Sequence, residues 1–458
     1  MKLTKKVLGV VVTALIGATA FAQKISFAQG PFNYYEAGNI VSNTRISTVG
    51  LYYTDVDNFM SVTRWNTVKP ETFFGHIGYV DELNFGFAKQ FKDFYIGTSF
   101  VGQLDGLTST STNNDGDKSS SMQTVNSNEF SAAALFGIGN LAFKANVDWA
   151  DAANDSTKDT SGNVTKTDDF QLNINLENGF VTKLDDKPLE MSFLLGLDSS
   201  VNKTVDETAD SKTDNSTYTI NVGSSALWTF DTKEKYTQEG LLHLYTSWDI
   251  TSASQENTGV KTKYLGMYDN KISLVPEYRI TLNPTERLSM KAGATLPFTF
   301  DFEGSFDYSE IDGDKVYSSL RTENVDVEIQ PMISLGMIYQ VLPEKVNFNM
   351  GINFATPSLT WYTVTTKTRT DVTSKDVNAT STTTVYNYDD YSAGVNFGSG
   401  FTVQLAKTVT FDCYWNILSN LFGDNFESDL TEGDVKNFWQ TVNKIFVHNI
   451  GFSISAKF

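Results

Sequence analysis

The sequence predicts an all-β chain folded as a single antiparallel transmembrane β-barrel, and three observations carry that prediction. Segment after segment alternates apolar and polar residues. The connections between these segments alternate between short and long. No apolar run beyond the N-terminus approaches the roughly 20 residues a spanning helix needs. A soluble chain of 458 residues would suggest roughly two or three domains, and the mean hydropathy of −0.24 looks soluble. In a barrel that average is expected, because only every second wall residue meets lipid.

Met1–Ala22 reads as a secretory signal peptide. Lys2, Lys5 and Lys6 precede an apolar run from Val7 to Ala20, and Ala20, Phe21 and Ala22 give the small-x-small cleavage pattern before Gln23. Its removal leaves the mature chain still more acidic. Residues 23–43 are expected to form a periplasmic leader, a small plug or an extra strand, and 44–458 the barrel. A first strand is expected around Arg45–Asp55, and Asn58–Val80 admits a further hairpin.

Clear strands follow. Phe143, Ala145, Val147 and Trp149 alternate with Lys144, Asn146 and Asp148; Phe170, Leu172, Ile174 and Leu176 with Gln171, Asn173, Asn175 and Glu177. Val346, Phe348, Met350, Ile352 and Phe354 share one face, as do Val409, Phe411, Cys413 and Trp415. Short turns are expected at Lys89–Asp93, Gly139–Asn140, Lys183–Lys187, Asp231–Lys235, Asn283–Arg287, Leu342–Lys345 and Ala406–Lys407. Long polar loops are expected at Asp105–Asn128, Asp151–Asp168, Ser199–Ser216, Asp307–Asn324 and Asp371–Thr384. Seven hairpins, one earlier strand and a last strand within Lys444–Phe458 give about 16 strands (range about 14 to 18), with short periplasmic turns and long extracellular loops. One segment breaks the strand period. Val435, Phe438, Trp439 and Val442 mark a helical face, with Thr431 and Asp434 as a cap, so a helical insertion is expected at about 425–443. It suits either a lid over the mouth or a helix packed on the rim.

The last residues place Ile450, Phe452, Ile454, Ala456 and Phe458 on one face, and the chain ends on that aromatic. This resembles the C-terminal assembly signal of bacterial outer-membrane β-barrel proteins of the porin-like class; Ala456 is smaller than the usual bulky residue. The resemblance implies the bacterial outer membrane as location, reached through a cleaved signal peptide. It also implies the barrel-assembly machinery as partner during biogenesis and outer-membrane lipid as surroundings. Phe94, Tyr95, Trp149, Trp228, Trp248, Trp361 and Trp415 suit interface anchors.

Composition excludes several functions. A single cysteine, Cys413, allows no disulfide and no thiolate metal cluster. The formal net charge of −19 repels nucleic acid. His76, His243 and His448 lie in separate strands, and His243 shares a polar face with Tyr245, Ser247 and Asp249. No nucleophile-elbow or HExxH pattern occurs, so no catalytic residue, enzyme activity, metal or cofactor is expected. The acidic stretches Asn113–Asp117 and Asp312–Asp314 read as loop tips.

The same parity assigns Asp148, Glu177, Asp249, Glu277, Asp326, Glu328 and Asp412 to the lumen, against Lys144, Arg279, Lys291 and Lys457. Carboxylate rings favour cations. The expected function is a porin-like channel for passive diffusion of small hydrophilic solutes with a mild cation preference, the wall charges otherwise pairing across strands. Long-chain fatty-acid transporters resemble the chain in size, which makes a hydrophobic-substrate transporter the alternative. A surface adhesin or structural barrel is a third. Oligomeric state is not written in the sequence.

Overall fold

The computed structural model describes residues 72–77, 82–416 with short interruptions (93, 104–108, 113–121, 126, 159–163, 207–210, 234, 258–259, 312, 357 and 390–393), and 450–457. The strands are β1 (Thr72–Ile77), β2 (Glu82–Gln90), β3 (Phe94–Gln103), β4 (Ser109–Thr112), β5 (Met122–Val125), β6 (Ser127–Ile138), β7 (Leu141–Lys158) and β8 (Val164–Leu184). Next come β9 (Lys187–Asp206), β10 (Ser211–Lys233), β11 (Tyr236–Asn257), β12 (Val260–Thr285), β13 (Leu288–Thr295), β14 (Phe298–Gly304), β15 (Tyr308–Ile311) and β16 (Asp314–Tyr317). The last are β17 (Leu320–Ile329), β18 (Met332–Leu342), β19 (Val346–Ala355), β20 (Ser358–Thr368), β21 (Ala379–Asp389), β22 (Gly394–Ala406), β23 (Val409–Asn416) and β24 (Ile450–Lys457).

All belong to one antiparallel sheet. Several segments continue one another along a single wall strand. β13, β14 and β15 form one line, which pairs with the line β16, β17 and β18. β19 with β20, and β21 with β22, form the next two. β4 likewise continues β3, and β5 leads into β6. Counted as continuous lines, the described segments make about 16 wall strands, within the size range of single-chain barrels. β24 pairs with both β23 and β1, so the sheet closes on itself and no described edge is left bare.

The seven expected short turns join β2–β3, β6–β7, β8–β9, β10–β11, β12–β13, β18–β19 and β22–β23, all at one end of the ring. In the β8–β9 turn both Asp185 and Asp186 have positive φ (50° and 61°), the type I′ geometry that prefers Asn-Gly. Replacing the pair with Asn-Gly is expected to relieve about 1 kcal/mol of backbone strain. A higher urea midpoint for the folded barrel in detergent checks it.

Two expectations need correction. The strand that closes the ring against β24 is Thr72–Ile77, not Arg45–Asp55. Phe73 and Phe74 are adjacent there, so six residues carry no clean period-two signal. Arg45–Asp55 lies outside the described residues, as do the signal peptide, the 23–43 leader, Asn113–Asp117, His448 and the helix expected at 425–443. Secondly, the long polar stretches are largely strand. β8 to β12 run for 21, 20, 23, 22 and 26 residues, against the roughly 9–11 that cross a bilayer. Ser, Thr, Asn and Asp still pair through the backbone. Where water lies on both faces, nothing selects an alternation of hydrophobicity. Asp105–Asn128 likewise holds β4 and β5, Asp307–Asn324 the β15–β16 hairpin and part of β17, and Asp371–Thr384 the start of β21.

A row of prolines crosses adjacent strands at one level. The N–H of Leu296 donates to the carbonyl of Pro276 (3.0 Å), that of Gln330 to Pro297 (3.4 Å), and that of Thr356 to Pro331 (2.9 Å). Proline donates no ladder hydrogen bond. The row therefore divides β13 from β14 and β17 from β18 while each preceding residue keeps a backbone partner.

Candidate functional site

The wall has two chemically opposite faces. On β7, Phe143 and Val147 are exposed while Asn146 and Asp148, between and beside them, are 4% and 6% exposed. On β9 to β11 the outward face carries Leu195, Leu197, Ile220, Val222, Leu242, Leu244 and Trp248, all exposed. On a closed ring the exposed face is the outside. Along β10 the outward band from Tyr218 to Trp228 covers roughly 33 Å of strand, which at a tilt of about 40° is close to the 25 Å apolar height of a membrane barrel. Phe452 and Ile454 of the terminal signal are exposed on this face; Ile450 opposes Trp415 in the ladder, and Phe458 lies outside the described residues. Cys413 opposes Phe401 and Phe452, both outward, and is a free thiol among apolar neighbours.

Among the expected anchors, Trp248 is half exposed, and Phe94 packs against Phe91 and Phe136 on the outside. Tyr95 is a correction: it is 2% exposed and turns inward. It opposes Gly137, where any Cβ would collide with its ring.

Inside, nearer the short turns, charges meet in pairs. Lys144 Nζ reaches Glu177 Oε1 across the β7–β8 ladder at 2.9 Å. Glu277 binds Arg279 along β12 through Nε (2.5 Å) and Nη2 (3.3 Å), and Arg279 is 1% exposed. Lys291 approaches Glu239 at 3.6 Å across the width of β12. His243, also 1% exposed, opposes Val275 on this inner face. Asp412 accepts the Thr402 hydroxyl (2.7 Å). Asp148 accepts both hydrogen bonds of the Asn146 amide (3.0 and 2.9 Å). These expected residues therefore face inward, but the cations among them are spent on neighbouring carboxylates.

Farther from the short turns the balance is one-sided. A single register row crosses the wall through Asp148, Asn173, Asp198, Thr219, Asp249, Asp269, Glu303 and Asn324. Asp249 stands directly opposite Asp269, and Asp269 opposite Glu303. Beside the row, Asp301 opposes Asp326, and Glu328 opposes Thr299. Lys271 makes an ion pair with Asp301 at 3.6 Å. Asn221 donates to Asp198, Ser247 to Asp249 (3.2 Å), and the backbone N–H of Asp249 to Asn270 (3.2 Å). Of the sequence candidates, Asp148, Asp249, Asp326 and Glu328 fall in this belt. Asp198, Asp269, Asp301, Glu303, Lys271 and Glu239 were missed. Among the described residues no group of three or more His, Cys, Asp or Glu side chains is arranged to hold a metal ion.

Outside the band, at the long-connection end, Asp307 fastens three segments. Its Oδ1 accepts from Arg369 Nη2 (2.9 Å) and Arg321 Nη1 (3.1 Å). Arg369 also donates to the carbonyls of Ser318 (3.2 Å) and Lys375 (3.3 Å). Lys367 Nζ binds both oxygens of Glu323 at 2.6 Å. Burial raises the Asp307 pKa, but the Arg321 charge and the hydrogen bonds from Arg369 and Arg321 outweigh it and hold the carboxyl below its ordinary value of 3.8. A depressed carboxyl contributes its stability in full above its unfolded pKa and loses it as pH falls through the folded value. Partial exposure limits the contribution to about 1 kcal/mol. Protease cleavage in residues 369–378 is expected to stay flat from pH 7 to about pH 4 and to rise below it. Asp307→Asn should show the raised rate already at neutral pH.

A closed antiparallel ring, apolar outside and polar inside, defines a β-barrel of the transmembrane type. No protein-family model matches the chain, and no curated protein matches it. Among solved structures it is similar to the ferric yersiniabactin uptake receptor FyuA from Yersinia pestis, at 8% identity over 84% of this chain and 79% of that one, with a TM-score of 0.37. It is also similar to the alcaligin outer-membrane receptor FauA from Bordetella pertussis (9% identity, 84% and 75% covered, TM-score 0.29). A third is the transport unit of the autotransporter AIDA-I from Escherichia coli (9% identity, 70% and 90% covered, TM-score 0.30).

Proposed function

We propose that the protein is a bacterial outer-membrane, porin-like channel for passive diffusion of small hydrophilic solutes, with a preference for cations, and that it acts by transport rather than catalysis. The observation that carries this reading is the acidic row on the inner wall. Asp148, Asp198, Asp249, Asp269 and Glu303 share one line, and Asp301, Asp326 and Glu328 flank it. A low-dielectric wall focuses such a field and raises the local concentration of cations. Nearer the short turns the inner face is closely packed with polar groups, Ser192, Ser225, His243 and Arg279 each being no more than 4% exposed. Polar side chains on both levels argue against a hydrophobic substrate. A salt gradient across a planar bilayer holding the refolded protein tests the selectivity. The reversal potential should take the sign of cation permeation, and an anion-selective sign overturns the proposal.

A further inference from the structure

The inner wall changes character between the acidic row and the mouth. One inward rung beyond Asp249 and Asp269, Thr251 opposes Met267; on the next, Ala253 opposes Tyr264; on the third, Thr262 opposes Ile311. On β9 and β10 the same three rungs hold only Ser, Thr and Asn. One side of the mouth therefore offers hydroxyls and amides, and the other offers apolar side chains, Met267 and Ile311 each being 36% exposed. Large apolar groups left open beside polar ones mark an interaction surface. A bulge builds this apolar side. Between Tyr264 and Met267 the register against β11 shifts, with Gly266 at a φ of 86°, so that both side chains face inward although three residues apart. The N–H of Asp307 donates to the Leu265 carbonyl (2.9 Å), and a Cβ on Gly266 would come within 2.8 Å of the Asp307 Cβ. Asp307 is itself fastened by Arg321 and Arg369. The residue before it, Phe306, is thereby held with its ring against Tyr264, centroids 5.8 Å apart.

Charge decides what this face receives. Among the described residues the inner rungs of β9 to β12, β15 and β16 carry no Lys or Arg between Lys271 and the mouth, and Asp314, opposite Ile311, adds a carboxylate. Two residues along β12 separate Met267 from Asp269, about 7 Å, and four along β11 separate Ala253, opposite Tyr264, from Asp249, about 13 Å. We infer that Tyr264, Phe306 and Met267 form a docking surface inside the mouth for organic ammonium ions. The ammonium rests on Asp249 and Asp269, and an apolar body of about 7–13 Å lies across the thioether and the two rings. Aromatic faces also attract the cation as it enters. A neutral sugar would use the hydroxyl and amide side and leave the carboxylates unanswered. The inference rests on the cation-preferring channel proposed above and names the class of solute that it takes.

Block of potassium current through the refolded full chain in a planar bilayer tests the docking surface, with phenylbutylammonium as the probe. Its uncharged counterpart phenylbutanol and the neutral sugar maltotriose are compared. Phenylbutylammonium is expected to halve the current at a several-fold lower concentration than either. Tyr264→Leu combined with Phe306→Leu keeps apolar bulk but removes both ring faces, and should raise the half-blocking concentration at least about fivefold. Met267→Thr is a second variant that leaves both rings in place, and it should raise that concentration by a smaller factor. Potassium current through each variant shows that it has inserted. Equal block by the cation and the alcohol, stronger block by the sugar, or a block that the inserted variants keep unchanged overturns the docking surface and leaves the channel reading intact. No potassium current through the unsubstituted barrel overturns both.

Discussion

Replacing Asp249 and Asp269 with Asn and Glu303 with Gln should move the reversal potential most of the way to zero. These three carboxylates are consecutive in one cross-strand row. A unit charge about 4 Å from a permeating ion is worth about 1 kcal/mol even in bulk water, which is about a fivefold change in local ion concentration per site. The cation-to-anion permeability ratio of the triple variant is therefore expected to fall at least about fivefold at low salt, and less at high salt, where the Debye length shortens. Asp198, Asp301, Asp326 and Glu328 remain in the variant, with Lys271 paired to Asp301, so any residual selectivity should stay on the cation side. The same three substitutions should leave folding intact, because each removes a like-charge neighbour. An unchanged permeability ratio in a folded variant means that ions do not pass this row.

Arg279→Met should have the largest effect on stability. Its guanidinium and the carboxylate of Glu277 are almost fully buried and bound through two hydrogen bonds. Removing the cation leaves a buried carboxylate whose other cationic neighbour, Lys291, is already paired with Glu239, and such losses cost about 3–5 kcal/mol. The expected result is a clearly lower urea midpoint and loss of the heat-modifiable folded band on a detergent gel. The double substitution Glu277→Gln with Arg279→Gln removes both charges together and should recover most of that loss. Equal destabilisation by the single and double variants contradicts the ion-pair explanation and points to lost packing of the Arg279 stem.

The ring was legible in the sequence wherever the two faces of a strand meet different solvents. Phe143 to Trp149 and Phe170 to Glu177 announce themselves by period two, and all seven short turns stand where turn residues cluster. The upper halves of β8 to β12 were not legible, because Ser, Thr, Asn, Asp and Lys on both faces leave no contrast to read. The same limit hid part of the acidic row. Asp198 sits beside the stretch expected to be loop. Asp269 and Lys271 lie on β12 just past Gly266, whose φ of 86° accompanies a shift of register against β11. That shift breaks any parity count carried down from Lys261 and Lys263. Asp301 and Glu303 were different, since Phe298, Phe300 and Phe302 alternate with Thr299, Asp301 and Glu303. That signal was present in the sequence. Pairing was the other part that sequence alone withholds. Lys291 meets Glu239 from two strands away, a contact set by the curvature of the wall and not by any local pattern.

Single-channel recording on the refolded full chain in a planar bilayer bears most directly on whether this is an open, lipid-embedded barrel. Discrete steps that grow linearly with voltage are expected, larger in salts of small hydrated cations than in salts that differ only by a bulky cation. A folded, inserted protein that passes no current contradicts the channel.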